Sequence, residues 1–244
     1  MSKQVNNGGP PKKMQRTREK PNFKPSGKGF IFSTPTSDRK TKLGMQDVRD
    51  TLSIALDMFE VVNDVNIGEK DEENEDNYFA DLEKELLDTN KKCDPERIFF
   101  VRKTKTDGLQ LVQFANSFTD RFMDFVDFLF KKIHDRQLAF GRCVIRLYPF
   151  TQRIPMDMHA FLLLPWVKSA IKEQRHLSLQ INNRSEEIDT LTLRDQIEDA
   201  HTDCYFHSQN YEHQVLINIL YRDIYCFYGK EYVPGFNIRK LLQQ

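Results

Sequence analysis

No uninterrupted apolar run in this chain is longer than Ala160 to Val167, so its interior must be assembled from short strands and one-sided helices. That run falls far short of the roughly 18 to 20 residues a membrane span needs, and no membrane segment is expected. The pieces are legible by period. Phe30-Ile31-Phe32 after Gly29 reads as a short buried strand, and Met45, Val48, Leu52, Ala55, Phe59 and Val62 then recur at spacings of three and four, the stripe of an amphipathic helix. Phe79, Leu82 and Leu86 mark a short helix, and Ile98 to Val101 another buried strand. From Gly108 to His134, Leu111, Phe114, Ala115, Phe118, Phe122, Phe125, Val126, Leu129 and Ile133 keep a helical face for about seven turns, with Asn116-Ser117 as a place to split it in two. The phenylalanines of this stretch follow the helical period, which assigns them to core packing rather than to base stacking.

Cys143 to Tyr148 is strand-like and is closed by Pro149, which lacks a ladder donor. Met156 to Ile171 is helical in pattern with a break at Pro165. Leu177, Leu179 and Ile181 alternate with polar residues as in a half-buried strand, and Thr192 with Asp195 resembles a helix cap ahead of Ile197 and Ala200. Gln214 to Leu220 and Ile224 to Tyr228, joined by Tyr221-Arg222-Asp223, predict a closing β-hairpin. The chain is therefore expected to be mixed α/β (α+β), with strands pooled toward its end.

The 36 basic and 36 acidic side chains give a net charge of zero, which would count against a nucleic-acid binder if the charge were evenly spread. It is not. Residues 1–40 sum to +8, residues 41–100 to −10 and residues 101–244 to +2. Residues 1–28, with Lys12, Lys13, Arg16, Arg18, Lys20 and Lys24 among repeated prolines, have too little apolar surface to offset the entropy of ordering, and predict a disordered basic tail. Such a tail suits phosphate contact, a localisation signal or a solubilising role. Glu69 to Asp76 is a charge run with nothing to bury, read as a solvated loop. Cys93, Cys143, Cys204 and Cys226 form no paired motif and are expected to be reduced intracellular thiols.

Motifs for catalysis are absent from the sequence: no Gly-x-Gly-x-x-Gly, no Walker loop and no Gly-x-Ser-x-Gly elbow. His201-x-x-Cys204-x-x-His207 with His213 beyond offers metal-ligand residue types, but in an order and spacing that match no common zinc module. No catalytic residue, metal, cofactor or small-molecule substrate is expected for this chain. The remaining candidates are basic residues mainly at element ends: Arg102, Lys103, Lys105, Arg142, Arg146, Arg153, Lys168, Lys172, Arg175, Arg184, Arg222, Lys230, Arg239 and Lys240. Converging elements could gather them into one phosphate-binding surface. Arg146 stands out, since an arginine inside an otherwise apolar strand needs a partner.

The string Arg142-Cys143-Val144-Ile145-Arg146-Leu147-Tyr148-Pro149-Phe150 resembles the "T-R-x-I-x-R-x-x-P-I" strand of the THUMP domain, an RNA-binding α/β module of tRNA-modifying systems. Gly29 to Thr34 and the helix after it, Asp81 to Leu86, Ile98 to Arg102, Leu177 to Arg184, the helix from Leu193, Gln214 to Tyr228 and Phe236 to Arg239 follow in matching order. Over roughly residues 29–243 the chain resembles the stand-alone THUMP protein that is the tRNA adaptor for N4-acetylcytidine formation. Gly141 and Val144 stand where the motif has Thr and Ile. Thr151-Gln152-Arg153 replaces the usual Thr-Cys-Lys-Ala, with Arg153 as a substitute for its lysine.

The resemblance implies an N-terminal ferredoxin-like domain (29–103, with an acidic loop at 64–77), a THUMP domain (104–231) and a C-terminal segment (232–244). It also implies an adaptor that binds serine and leucine tRNAs and presents a D-arm cytidine to a separate RNA cytidine acetyltransferase, which uses acetyl-CoA and ATP. Arg142 and Arg146 match the motif's arginines and Pro149 its proline. The expected location is intracellular, in the nucleus or nucleolus rather than the cytoplasm. Two other readings are a protein-interaction scaffold without RNA and an RNA-binding subunit of a different tRNA-modifying system.

Overall fold

The computed structural model describes residues 25–67, 98–157, 176–200, 205–206, 211 and 213–241. The expected tail up to residue 24, the acidic run 69–76, the helix at Phe79 to Leu86 and the helix beyond Asp157 lie outside these residues.

The first sheet is four-stranded, in the order β2-β3-β1-β4, from β1 (Pro25–Ser33), β2 (Phe99–Lys103), β3 (Leu109–Ala115) and β4 (Arg146–Phe150). Every pair in it is antiparallel. Helix α1 (Asp38–Ile67) lies between β1 and β2, and α2 (Phe122–His134) between β3 and β4, which is the ferredoxin-like order. β1 takes in residues 25–28, which composition assigned to the tail. Pairing and local hydrogen bonds hold that segment rather than apolar burial: Ser26 is buried, and Lys28 Nζ donates to the Thr119 carbonyl at 2.8 Å.

The helix expected from Gly108 begins only at Phe122, and Leu109–Ala115 is instead a strand. The helices cover one face of β3 and the second sheet packs on the other side of the sheet, so Leu111, Val112 and Phe114 are buried on both of its faces. A strand covered on both faces loses the alternation that would mark it, and a short apolar run fits a helical stripe equally well. The core assignment of the phenylalanines holds: Phe114, Phe118, Phe122, Phe125 and Phe130 are buried. Phe114 meets Phe122 at 5.2 Å and Phe30 at 6.0 Å between ring centroids.

Strand β4 starts at Arg146 rather than near Cys143, and Arg142 and Cys143 form a turn before it. Pro149 lies within β4 because that strand is the sheet's edge, where a missing donor breaks no ladder. The chain changes sheet at Thr151, whose N–H donates to the Cys226 carbonyl at 2.8 Å. Residue 103, the expected boundary between halves, is the last residue of β2, which pairs directly with β3.

The second sheet has the order β5-β9-β8-β6-β7, from β5 (Gln152–Pro155), β6 (His176–Asn183), β7 (Tyr205–Phe206), β8 (His213–Leu220) and β9 (Asp223–Gly229). β6 is parallel to both β7 and β8, whereas β8 and β9 form the expected hairpin. Helix α3 (Thr190–Ala200) covers one face, packing Leu193 and Ile197 on Val215, Ile217 and Ile219. It starts two residues before Thr192 because Asp189, not Thr192, is the cap: its Oδ2 accepts from the Thr192 N–H at 2.8 Å. The other face presents Leu216, Leu220, Tyr225 and Phe227 to the first sheet, in one continuous core. The protein is mixed α/β, with a ferredoxin-like half followed by a second sheet bearing its own helix.

Candidate nucleic-acid interface

Cross-strand register decides where the basic side chains of the first sheet point. Arg102, Leu111, Ile31 and Tyr148 form one row, and Leu109, Ser33 and Arg146 the row two residues on. Residues in register share a face and the period is two, so Arg102 and Arg146 leave the sheet on the same side. That side faces away from the helices: Phe150, on the same side of β4, packs edge-on against Tyr225 of β9 at 4.9 Å. Lys103 leaves on the helix side and pairs with Asp38 at the start of α1, 3.0 Å away.

The β2–β3 hairpin is fixed from within. Thr104 Oγ1 donates to the Leu109 carbonyl at 2.6 Å and accepts from the Thr106 N–H at 3.1 Å. Gly108, at φ 73°, turns its carbonyl onto the Thr34 N–H at 2.8 Å. This tight loop carries Lys105 to the β8–β9 turn, where its Nζ lies 4.4 Å above the Tyr221 ring. Between the two hairpins is a cleft of about 290 Å³ lined by Arg102, Lys103, Lys105, Arg153, Tyr221, Asp223 and Tyr225.

Arg153 Nη2 donates to Asp223 Oδ2 at 2.9 Å, and the Tyr225 hydroxyl lies 3.5 Å from the same oxygen. Desolvation works against the Arg153 charge, but the hydrogen bond to Asp223 and its charge outweigh it and hold the guanidinium above its ordinary range. Burial, followed by the Asp223 charge, raises the Tyr225 phenol, so it remains a neutral hydroxyl. Lys103 holds the Asp38 carboxyl below its ordinary range, chiefly through their hydrogen bond. The cleft thus presents permanent positive charge, and Asp223 is the carboxylate in its lining.

The fold gathers Arg102, Arg153 and Arg222 at this junction, with Lys103 in the lining but its ammonium turned to Asp38 on the helix side. Arg184, exposed after β6, lies at the same end of the second sheet, where its N–H donates to the Ile219 carbonyl, but it is not in the cleft lining. Arg146 lies at the same end of the first sheet but on the edge strand. It is an exposed first residue, not an arginine inside the strand, and its Nη1 donates to the Tyr148 hydroxyl at 3.2 Å. Arg142 is exposed in the preceding turn. Lys230 follows β9 at the end away from the turn and is not part of the cleft. Lys168 and Lys172 lie outside the described residues, as do His201, Cys204 and His207.

His213 stacks on Tyr228 at 5.5 Å between centroids. Among the described residues no group of three or more His, Cys, Asp or Glu is placed to hold a metal, and no helix is long and apolar enough to cross a membrane. Cys143 and Cys226 are free, and burial pushes the Cys226 thiol well above its ordinary range, which suits a packing residue rather than a nucleophile. Sequence reasoning missed Tyr221 as part of the site. Arg39, Lys40 and Lys42 are exposed in the first turns of α1, on the helix side of the sheet and outside the cleft lining.

No family model matches the sequence, and no curated protein matches it. Solved structures similar to it include PH1313 from Pyrococcus horikoshii Ot3, at TM-score 0.44 and 12% identity over 83% of this chain and 55% of that one. A 4-thiouridine synthetase in complex with RNA and bound ATP is similar at TM-score 0.37 and 11% identity, over 82% of this chain and 40% of that one. TrmN from Thermus thermophilus is similar at TM-score 0.32 and 12% identity, over 61% and 41% respectively. The chain spans between 40% and 55% of the length of these structures.

Proposed function

We propose that this protein is a non-catalytic tRNA-binding adaptor that presents serine and leucine tRNAs to a separate RNA cytidine acetyltransferase for N4-acetylcytidine formation in the D-arm. The observation that carries the reading is the cleft itself. The β2–β3 hairpin, the β8–β9 turn and β5 bring Arg102, Lys105, Arg153 and Arg222 to one place, with Lys103 in the lining and Arg146 and Arg184 at the same ends of their sheets. Permanent cations on rigid strand ends fix the position of a phosphate backbone without reading its sequence. The Arg142 to Phe150 string supports the narrower assignment by its resemblance to the THUMP strand. Chemistry belongs, in this reading, to the partner with its acetyl-CoA and ATP, and the pair would meet in the nucleus or nucleolus.

A second reading, a protein-interaction scaffold, is favoured by Leu43, Ile54 and Val61, which are exposed along α1. Filter binding of tRNA over a salt series separates the two. The adaptor retains tRNA at low salt and loses it steeply as salt rises, whereas a scaffold retains none. Sequencing acetylated cytidine in tRNA from cells with and without the protein tests the acetylation step: D-arm acetylation persisting in its absence rules out the adaptor role.

A further inference from the structure

The β8–β9 turn is made by Tyr221 and Arg222, and Tyr221 has φ 56°. A bulky side chain is disfavoured in the left-handed region, where two-residue hairpin turns select glycine, asparagine or aspartate. The other described non-glycine residues with positive φ have a place in the fold. Phe236 is buried in the core, and Arg136 ends α2 with its N–H on the Ile133 carbonyl. Tyr221 is 47% exposed. Backbone strain of this kind persists where something other than local preference demands the residue, and it concentrates at binding sites.

The surroundings of the ring indicate what that demand is. Tyr221 stands at the mouth of the basic cleft, with Lys105 Nζ 4.4 Å and the Arg222 guanidinium carbon 5.4 Å from its centroid. An exposed aromatic face flanked by an ammonium and a guanidinium matches the chemistry of an unpaired nucleotide: the base stacks on the ring and the neighbouring phosphates meet the cations. A duplex keeps its base faces stacked on one another and can use only the cations. An exposed cation above a ring is held more weakly than a stacked base, so an incoming base displaces Lys105 toward a phosphate.

We propose that Tyr221 is the stacking platform of a site for one unpaired RNA nucleotide, with Lys105 and Arg222 meeting the phosphates on either side. The site rests on the RNA-binding reading above and deepens it. The test compares wild type with Tyr221→Asn and Tyr221→Phe, measuring affinity for a labelled single-stranded oligouridine and for an RNA duplex of matched length, together with thermal melting. Tyr221→Asn is expected to weaken oligouridine binding roughly tenfold, to leave duplex binding unchanged and not to lower the melting temperature, because asparagine tolerates the left-handed backbone. Tyr221→Phe is expected to bind both probes as wild type does. Oligouridine affinity unchanged in Tyr221→Asn, or equal loss on both probes, overturns the stacking site while leaving the RNA-binding reading intact. A wild-type protein that binds neither probe overturns both.

Discussion

Arg153 in β5 reaches across to Asp223 in β9, Nη2 to Oδ2 at 2.9 Å, so a cation and a carboxylate of the cleft are already committed to each other. Both side chains are about a third exposed or less, and the pair contributes about 1 kcal/mol to the fold at most. In RNA binding the carboxylate opposes and the guanidinium assists. Asp223→Asn frees Arg153 for phosphate and removes a negative charge, so tRNA affinity is expected to rise. The slope of log affinity against log salt should steepen by about one phosphate contact. A salt series by filter binding checks it; weaker binding in the variant would mean that Asp223 positions Arg153 for the RNA.

Arg102 and Arg146 leave the same face of the first sheet, and Lys230 lies apart from the cleft. Arg102→Ala with Arg146→Ala is therefore expected to weaken tRNA binding at least tenfold and to flatten its salt dependence, while Lys230→Ala changes neither by more than about twofold. The Arg146–Tyr148 hydrogen bond makes a thermal melt of the double variant a necessary companion. Equal losses from both variants would show that overall charge, not the gathered surface, binds the RNA.

The sequence made the α1 stripe and α2 legible by their helical period, and β1 and the β8–β9 hairpin by short apolar runs set off by Gly29 and by Tyr221-Arg222-Asp223. It concealed β3, whose apolar residues continue at helical spacing into the stripe of α2, and it concealed the cap of α3, because Asp189 and Thr192 satisfy a spacing that Thr192 and Asp195 also satisfy. The candidate site was legible as residue types but not as a place. Arg102, Arg153 and Arg222 are far apart in the chain, and only the change of sheet at Thr151 brings β5 and the β8–β9 turn against the β2–β3 hairpin. Tyr221 carried no signal, since a tyrosine between two strands looks like any hairpin residue until its φ is known.

Gly29 sits in β1 between β3 and β4, and a Cβ there would lie 2.0 Å from the Val112 carbonyl oxygen and 2.8 Å from the Phe150 ring. Because the nearest obstacle is backbone of an inner strand, nothing flexible can give way. Gly29→Ala is expected to destabilise by about 2 to 3 kcal/mol, lowering the melting temperature by roughly 5 to 10 °C for a chain of this size. Gly27→Ala meets nothing nearer than the Arg153 nitrogen at 3.8 Å and is the matched control, expected to melt with wild type.

Asp189 caps α3 through the Thr192 N–H and hydroxyl at 2.8 and 2.9 Å, and these bonds, the backbone one first, hold its carboxyl below the ordinary value of 3.8. A carboxyl depressed in the folded state binds its proton more readily when unfolded. Its stabilisation is therefore complete above about pH 4 and is lost as pH falls through the lower folded value. At neutral pH, Asp189→Ala is expected to melt below wild type, and the gap should narrow as the pH drops below 4. Asp38 is depressed as well, by Lys103, but it is present in both proteins and cancels from the difference. Asp189→Asn keeps an acceptor without a titrating charge, so its melting temperature relative to Asp189→Ala should not depend on pH. Thermal melts of the three proteins at neutral pH and at successive steps below pH 4 give the answer. A wild-type advantage over Asp189→Ala that survives undiminished at the lowest pH would mean that the neutral carboxyl caps α3 as well as the carboxylate does.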